Sequence, residues 1–380
     1  MSPKQQIKGD GEAATKRRKR EPVAQDLDNP TQQLAPPVAV YQRARLDPSS
    51  LTSREVSQLQ RTIGNREVGI VLAGTVQRLE AGELQMQSEF VVQREDDDPL
   101  DESQVVKAIG FYANRSTQYT EEIIRQIQAG VGVPETGTVD EAMVQAVARY
   151  QQANSPLWVD GMAGPRTLPA LFPSGLAEQE EIETYAEEAE GILGGDWASM
   201  SEEERADDLI ARVNDRLAAA NVPEVGMLIE DLGDDAGQFD FEVWSISLNQ
   251  SILQSEALSD AEAADVADTV YHEARHAEQW YRMAQMRAGQ GRTADQIAHE
   301  MSIPPRIANE AFGDPLAPGS MEALIADGWY QSVYGTGSAH RERVLGPTGT
   351  YEEYRALPEE SDAWRVGGDV TEAYNRLGEE

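Results

Sequence analysis

The chain has 380 residues, no cysteine and four histidines, with 67 Asp and Glu against 32 Lys and Arg for a formal net charge of −35. That length allows two modest domains plus tails, and the missing cysteine excludes disulfides, thiolate zinc sites and Cys nucleophiles. The charge is uneven: residues 1–95 hold 14 basic against 12 acidic residues and residues 96–380 hold 18 against 55, a field that repels nucleic acid and anionic membranes.

The start, MSPKQQIKGDGEAATKRRKREP, is charged and lacks the apolar core of a secretory signal. A chain made soluble in the cytoplasm, with any export by a signal-free route, is the expectation. The apolar run at 68–73 is too short to span a bilayer. Residues 1–50 are rich in Gln, Pro, Ala and charge, and predict a disordered tail. The KRRKR run at 16–20 within it reads as a solvated stretch or a docking patch.

Residues 51–79 predict two short helices, carried by Leu59, Ile63, Val68, Val71 and Leu72 and broken at Gly64-Asn65. Residues 80–102 turn polar, pass through Glu95-Asp96-Asp97-Asp98-Pro99 and read as a linker. The LQRTIGNR wording at 59–66, followed by Val68, resembles a short element ahead of toxin domains in cargo of extracellular contractile injection systems. The resemblance implies a loaded effector or an accessory peptidase, with the injection tube as a partner.

Residues 103–175 predict a small helical domain. Val105, Ile109 and Tyr112, then Ile123, Ile124 and Ile127, then Met143, Val144, Val147 and Tyr150, recur at helical spacing. Gly130, Gly132, Pro134 and Gly137 mark one connection, Asp160-Gly161 and Gly164-Pro165 the next, and a last short helix begins at Thr167. The stretches GTVD at 137–140, AVARYQ at 146–151 and VDGMAGPRTL at 159–168 resemble the peptidoglycan-binding-like domain. That resemblance implies a three-helix bundle and cell-wall polymer as a partner. SPLW at 155–158 departs from the pattern.

Residues 177–380 predict a second, α+β domain. A Glu-rich helix runs to Gly194-Gly195, and Ser201 with Glu204 forms a capping box opening a helix with the stripe Leu209, Val213, Leu217. Residues 225–228 read as a strand. Residues 239–248 read as another, with a phase slip at Trp244-Ser245. A second capping box, Ser259 with Glu262, opens a helix to about Gly289 whose buried face carries Val266, Val270, Ala277, Trp280 and Ala284.

His272 and His276 lie four apart on that helix, so both imidazoles project from one face about one turn apart. Such a pair supplies two nitrogens to one tetrahedral ion, and Glu273, next in sequence, can reach water there as general base. A chance His-Glu-x-x-His is rare in a chain with four histidines, although two histidines on a solvated face would give the same string. Glu300, Glu310, His299 and the pair Glu359-Glu360 are all candidates for a third ligand. Tyr354, His340, Tyr334 and Tyr351 are candidates to steady an oxyanion, with Tyr354 and His340 carried forward.

The segment VYHEARHAEQ at 270–279, followed much later by YRALPEESDA at 354–363, resembles the Glu-dependent zincins. A Pro-Glu-Glu-x-[Asp/Glu]-Ala element on a later helix donates the third ligand in several of those groups. The resemblance implies Zn²⁺ held by His272, His276 and Glu360, catalysis by Glu273, support from Asp362 and a helix starting at Pro358. It also implies a peptide or protein substrate paired along an edge strand, for which 241–248 is the candidate. Glu310, in the Asn-Glu pattern of thermolysin-like enzymes, is the alternative third ligand. The expected protein is therefore multidomain and mainly α with a small β-sheet: a disordered N-terminus, a three-helix peptidoglycan-binding-like bundle and a zincin-like metallopeptidase domain. A wall-binding or structural cargo protein without catalysis is the competing expectation.

Overall fold

A computed structural model describes residues 98–233 and 235–378. The tail at 1–50 with its basic run, the helical element at 51–79 and nearly all of the 80–102 linker lie outside these residues.

The described chain is mainly helical with one small three-stranded sheet. Helices α1 (Glu102–Ala113), α2 (Glu121–Gly130) and α3 (Glu141–Ala153), with the short α4 (Leu168–Leu171), make the first helical module. Its centre is Tyr112, Ile123, Ile127, Met143 and Val147, buried at the predicted spacing, joined by Ala108 and Leu168. Asp101, Thr120 and Asp140 cap the three main helices, each side chain accepting a backbone N–H.

Gln151 organises the turn after α3. Its Oε1 accepts the N–H groups of Asp160 (3.0 Å) and Gly161 (2.9 Å). Its Nε2 donates to Asp160 Oδ1, Met162 O and Thr167 Oγ1, each at 3.0 Å. Gly161 has φ +70°, and a Cβ there would meet Leu100 and Val144 at 2.7 Å. The hydroxyl of Tyr112 donates to Gly161 O and accepts from Ala163 N–H. The Asp-Gly and Thr positions of the turn therefore satisfy buried polar groups of the fold itself.

After this module come α5 (Gln179–Glu190), a π turn at Gly191–Asp196 and α6 (Glu202–Ala219), the last opened by the Ser201–Glu204 capping box. Strands β1 (Gly226–Glu230), β2 (Gly237–Asp240) and β3 (Ser245–Asn249) follow, in the order β1-β3-β2. β3 pairs parallel with β1 and antiparallel with β2. The single strand expected over 239–248 is thus two strands joined by a turn at 241–244. The phase slip at Trp244-Ser245 is that turn, and Trp244, fully buried, adopts φ +61° to make it. The expected edge at 241–248 is corrected accordingly: β3 is the central strand, and β2 is the edge that packs on the long helix described next.

A short α7 (Gln250–Leu253) leads to α8 (Asp260–Gly289), opened by the Ser259–Glu262 box and buried along most of its length. Around it lie α9 (Ala294–Met301), α10 (Pro305–Gly313), α11 (Met321–Val333), α12 (Ser338–Leu345), α13 (Tyr351–Arg355) and α14 (Pro358–Leu377). α14 begins at Pro358, whose missing N–H is harmless at a first helical position, and packs along α8 and α5. Gly367 makes the close approach possible. A Cβ there would run into the Asp268 carboxylate and sit 3.5 Å from His272 Cβ. Glu360 lies two turns earlier on the same side of α14, so this contact carries it toward the imidazoles of α8.

The helical module is fastened to the rest of the chain. Arg275 NH1 donates to Ser174 O (3.0 Å), Leu176 N–H donates to Glu278 Oε2 (3.0 Å), and the Tyr271 hydroxyl donates to Leu176 O (2.9 Å). Arg166, in the turn of the module, donates to Ser361 Oγ on α14 (3.3 Å) and lies 4.3 Å over the Trp158 ring. No described helix is long and apolar enough to cross a membrane.

Candidate metal centre

His272 and His276 project from one face of α8 and are buried, with ring centroids 4.9 Å apart. Glu360, in the first turn of α14, places Oε2 3.5 Å from His276 Nε2 and 3.9 Å from His272 Nε2. The three ligand atoms lie within 4.8 Å of one another, a buried group that can hold a metal ion. The donor set fits a cation. Glu360 Oε2 is buried and makes no well-formed hydrogen bond, its facing imidazole nitrogen on His276 standing 3.5 Å away, so the oxygen is open to a cation.

The charges are arranged accordingly. Burial pushes the His272 imidazole down to about 3, and facing His276 adds to the effect, so His272 is neutral. Burial acts against charge on Glu360 as well, but His276 and His272 outweigh it and hold the carboxyl down at about 2. Burial would also depress His276, yet the Glu360 carboxylate prevails and raises it to about 9. One imidazolium therefore pairs with one carboxylate in the absence of a cation, and a cation entering the group displaces that proton.

Glu273 stands beside the group. Its Oε2 accepts the Phe239 N–H of the edge strand β2 at 2.8 Å. Burial raises its carboxyl to about 7, against the opposing effects of His276 and that N–H. Tyr354, on α13, interacts through its phenol with Glu360. Burial first, and Glu360 second, lift its pKa well above the usual value, so it remains a donor across neutral pH. Trp364 covers His272 edge-on at 4.8 Å, and Arg355 lies 4.8 Å over the Trp364 ring.

The other candidates stand elsewhere. His340 is exposed and within 3.1 Å of Arg343, outside the buried group, because its helix α12 turns it to the surface. Glu310 and His299 are exposed. Glu300 is bound to Arg287 (2.7 Å) and Arg292 (3.3 Å). Glu359 is fully buried but turned to Arg341 (2.8 Å). The Tyr334 hydroxyl accepts from Trp280 Nε1 and donates to Met301 O, and Tyr351 packs against Trp364.

Asp362, expected as support, holds the group through a network whose other members, Gln279 and Arg275, the residues alone did not announce. Gln279 Oε1 lies 2.9 Å from His276 Nδ1, while Gln279 Nε2 donates to Glu359 O (2.9 Å) and Asp362 Oδ2 (3.0 Å). Asp362 also accepts from Arg275 Nε and Arg365 NH2, each at 2.9 Å. Burial works against its charge, but the two guanidinium groups outweigh it and hold Asp362 at about 2. The available signal was position: Gln279 is three residues from His276 and shares its helix face.

A family model described as a putative peptidoglycan binding domain matches residues 127–171, from the last turn of α2 through α4. The His272, His276 and Glu360 group lies outside that match. No curated protein and no solved structure matches the chain. The chain therefore carries a peptidoglycan-binding-like helical domain, fastened to a helical body with a buried His-His-Glu group.

Proposed function

We propose that the chain is a zinc-dependent peptidase. The reading is carried by one observation: His272, His276 and Glu360 converge within 4.8 Å from two helices, Glu360 lying 84 residues beyond His276, with Glu273 next to the first of them. Two imidazoles and one carboxylate suit zinc, and three protein ligands leave a position for reactant, as in catalytic sites. Bound zinc supplies Lewis acidity toward a carbonyl and lowers the pKa of water.

The chain's own groups do the rest. Glu273, with a carboxyl near 7 and one oxygen tied to Phe239 N–H, takes the proton of the attacking water and delivers it to the departing amine. The Tyr354 phenol, still protonated at neutral pH and facing Glu360, would turn its one hydrogen to the oxyanion once Glu360 holds the cation. Trp364 packs edge-on against His272 at 4.8 Å and Trp280 against His276 at 5.9 Å, which fixes the two rings.

The test is metal content together with peptide hydrolysis. The purified full chain is expected to hold one zinc and to generate new amino termini from a mixture of proteins and wall stem peptides. Glu273→Gln is expected to keep the zinc and lose about 10²–10⁴-fold in rate. A folded chain without stoichiometric zinc ends the proposal.

The match over residues 127–171 favours a second reading, a wall-binding protein without catalysis. It predicts co-sedimentation with purified peptidoglycan that is lost without the helical module, and no hydrolysis. The LQRTIGNR wording supports a further proposal for either reading, that the chain is cargo of a contractile injection system made in the cytoplasm.

A further inference from the structure

The Gln279 amide is held in one orientation. Its Nε2 spends both hydrogens, on the Glu359 carbonyl and the Asp362 carboxylate. A flipped amide would set its oxygen against those two acceptors and leave two hydrogen bonds unmade. Asp362 is itself fixed by Arg275 and Arg365, and Gln279 is fully buried. Oε1 must therefore face His276, and an acceptor 2.9 Å from Nδ1 requires a hydrogen on that nitrogen. Nε2, 3.5 Å from Glu360 Oε2, is left as the atom that receives a cation once its proton departs. The same amide ties α8 to the first turn of α14, where Glu360 sits, through the Glu359 carbonyl.

Resting on the reading that the triad holds zinc, we propose that Gln279 is the positioning residue of the centre. It locks His276 as the Nδ1–H tautomer and clamps the turn carrying Glu360 at the distance a shared ion needs. Partners of this kind on a metal-bound imidazole contribute about 10–100-fold in metal affinity.

Two measurements on the full chain test it. In long-range ¹H–¹⁵N spectra of the zinc-loaded protein, His276 is expected with hydrogen on Nδ1 and metal on Nε2. His299→Gln and His340→Gln, both exposed, reduce the spectrum to two imidazoles. Metal on Nδ1 overturns the proposal without any change at Gln279. Competition with a chromophoric zinc chelator then compares variants. Gln279→Met, similar in volume but without acceptor or donor, is expected to bind zinc about 10–100-fold more weakly. In the same variant His276 is expected to lose its preference for hydrogen on Nδ1, a change that a merely space-filling role would not produce. Wild-type affinity in Gln279→Met, with one zinc in the parent chain, sinks the positioning role and spares the metal reading. A parent chain that binds no zinc sinks both. If Gln279→Met does not fold, the tautomer in the wild-type spectrum decides.

Discussion

Arg275 Nε donates to Asp362 Oδ2 across 2.9 Å, joining the residue just before His276 to the residue two beyond Glu360. Both side chains are buried, and Arg275 also holds Glu278 Oε2 at 2.6 Å and Ser174 O at 3.0 Å. One guanidinium thus binds the ligand helix α14, its own helix α8 and the segment leaving the peptidoglycan-binding-like module. Arg275→Met would leave two carboxylates buried with weaker compensation. A loss of about 3–5 kcal/mol in unfolding free energy is expected by urea titration; a loss below about 1 kcal/mol would show that Arg365, beside Asp362, and Arg282, 3.3 Å from Glu278 Oε1, compensate alone.

The Gly367 contact gives a second expectation. Gly367→Ala places a methyl group against the Asp268 carboxylate and beside His272. Forcing the helices apart costs about 1–3 kcal/mol and moves Glu360 off the imidazoles. Calorimetric melting should show the stability loss, and chelator competition a weaker hold on zinc. An unchanged zinc affinity would mean that α14 shifts as a unit without moving its first turn.

Asp268 provides the pH dependence. Burial raises its carboxyl from 3.8 to about 7, Asp265 and Glu273 push it further up, and Thr371 and Arg355 oppose. A raised acid pKa means that the folded state takes up a proton the unfolded chain has already lost. The contribution of Asp268 to stability therefore falls as pH rises from about 4 to about 7, and its full penalty applies above 7. Asp268→Asn removes the penalty. Its melting temperature relative to wild type should be higher at pH 8 than at pH 4.5; equal differences at both pH values would refute the assignment.

Zinc itself should stabilise the fold. At 100 times the dissociation constant the expected gain is about 2.7 kcal/mol, visible as a higher melting temperature and reversed by chelator. Glu360→Ala is expected to abolish the zinc-dependent shift, and Glu310→Ala, at an exposed position, to leave it intact. The opposite pattern would move the third ligand to α10.

The parts legible in the residues alone were those encoded over short range. Capping boxes at Ser201 and Ser259, the apolar stripes of the helices and the four-residue spacing of His272 and His276 all act within a turn or two, so the string carries them. The hairpin at 241–244 showed in the residues only as a phase slip at Trp244-Ser245 within one expected strand. A buried Trp244 with positive φ is imposed by packing, and no local preference of tryptophan announces it.

Sequence by itself determined the chemistry available to this chain: no thiolate, four imidazoles, two of them necessarily side by side on one helix. The YRALPEESDA resemblance pointed to Glu360 among several distant acids; what brings it to the pair is tertiary, the Gly367 approach of α14 to α8 and the ion pairs that turn Glu300 and Glu359 elsewhere. Helical phase is set by neighbours a few residues away. The position of one helix against another, 84 residues on, depends on close packing and on buried charges that must find partners wherever the fold brings them.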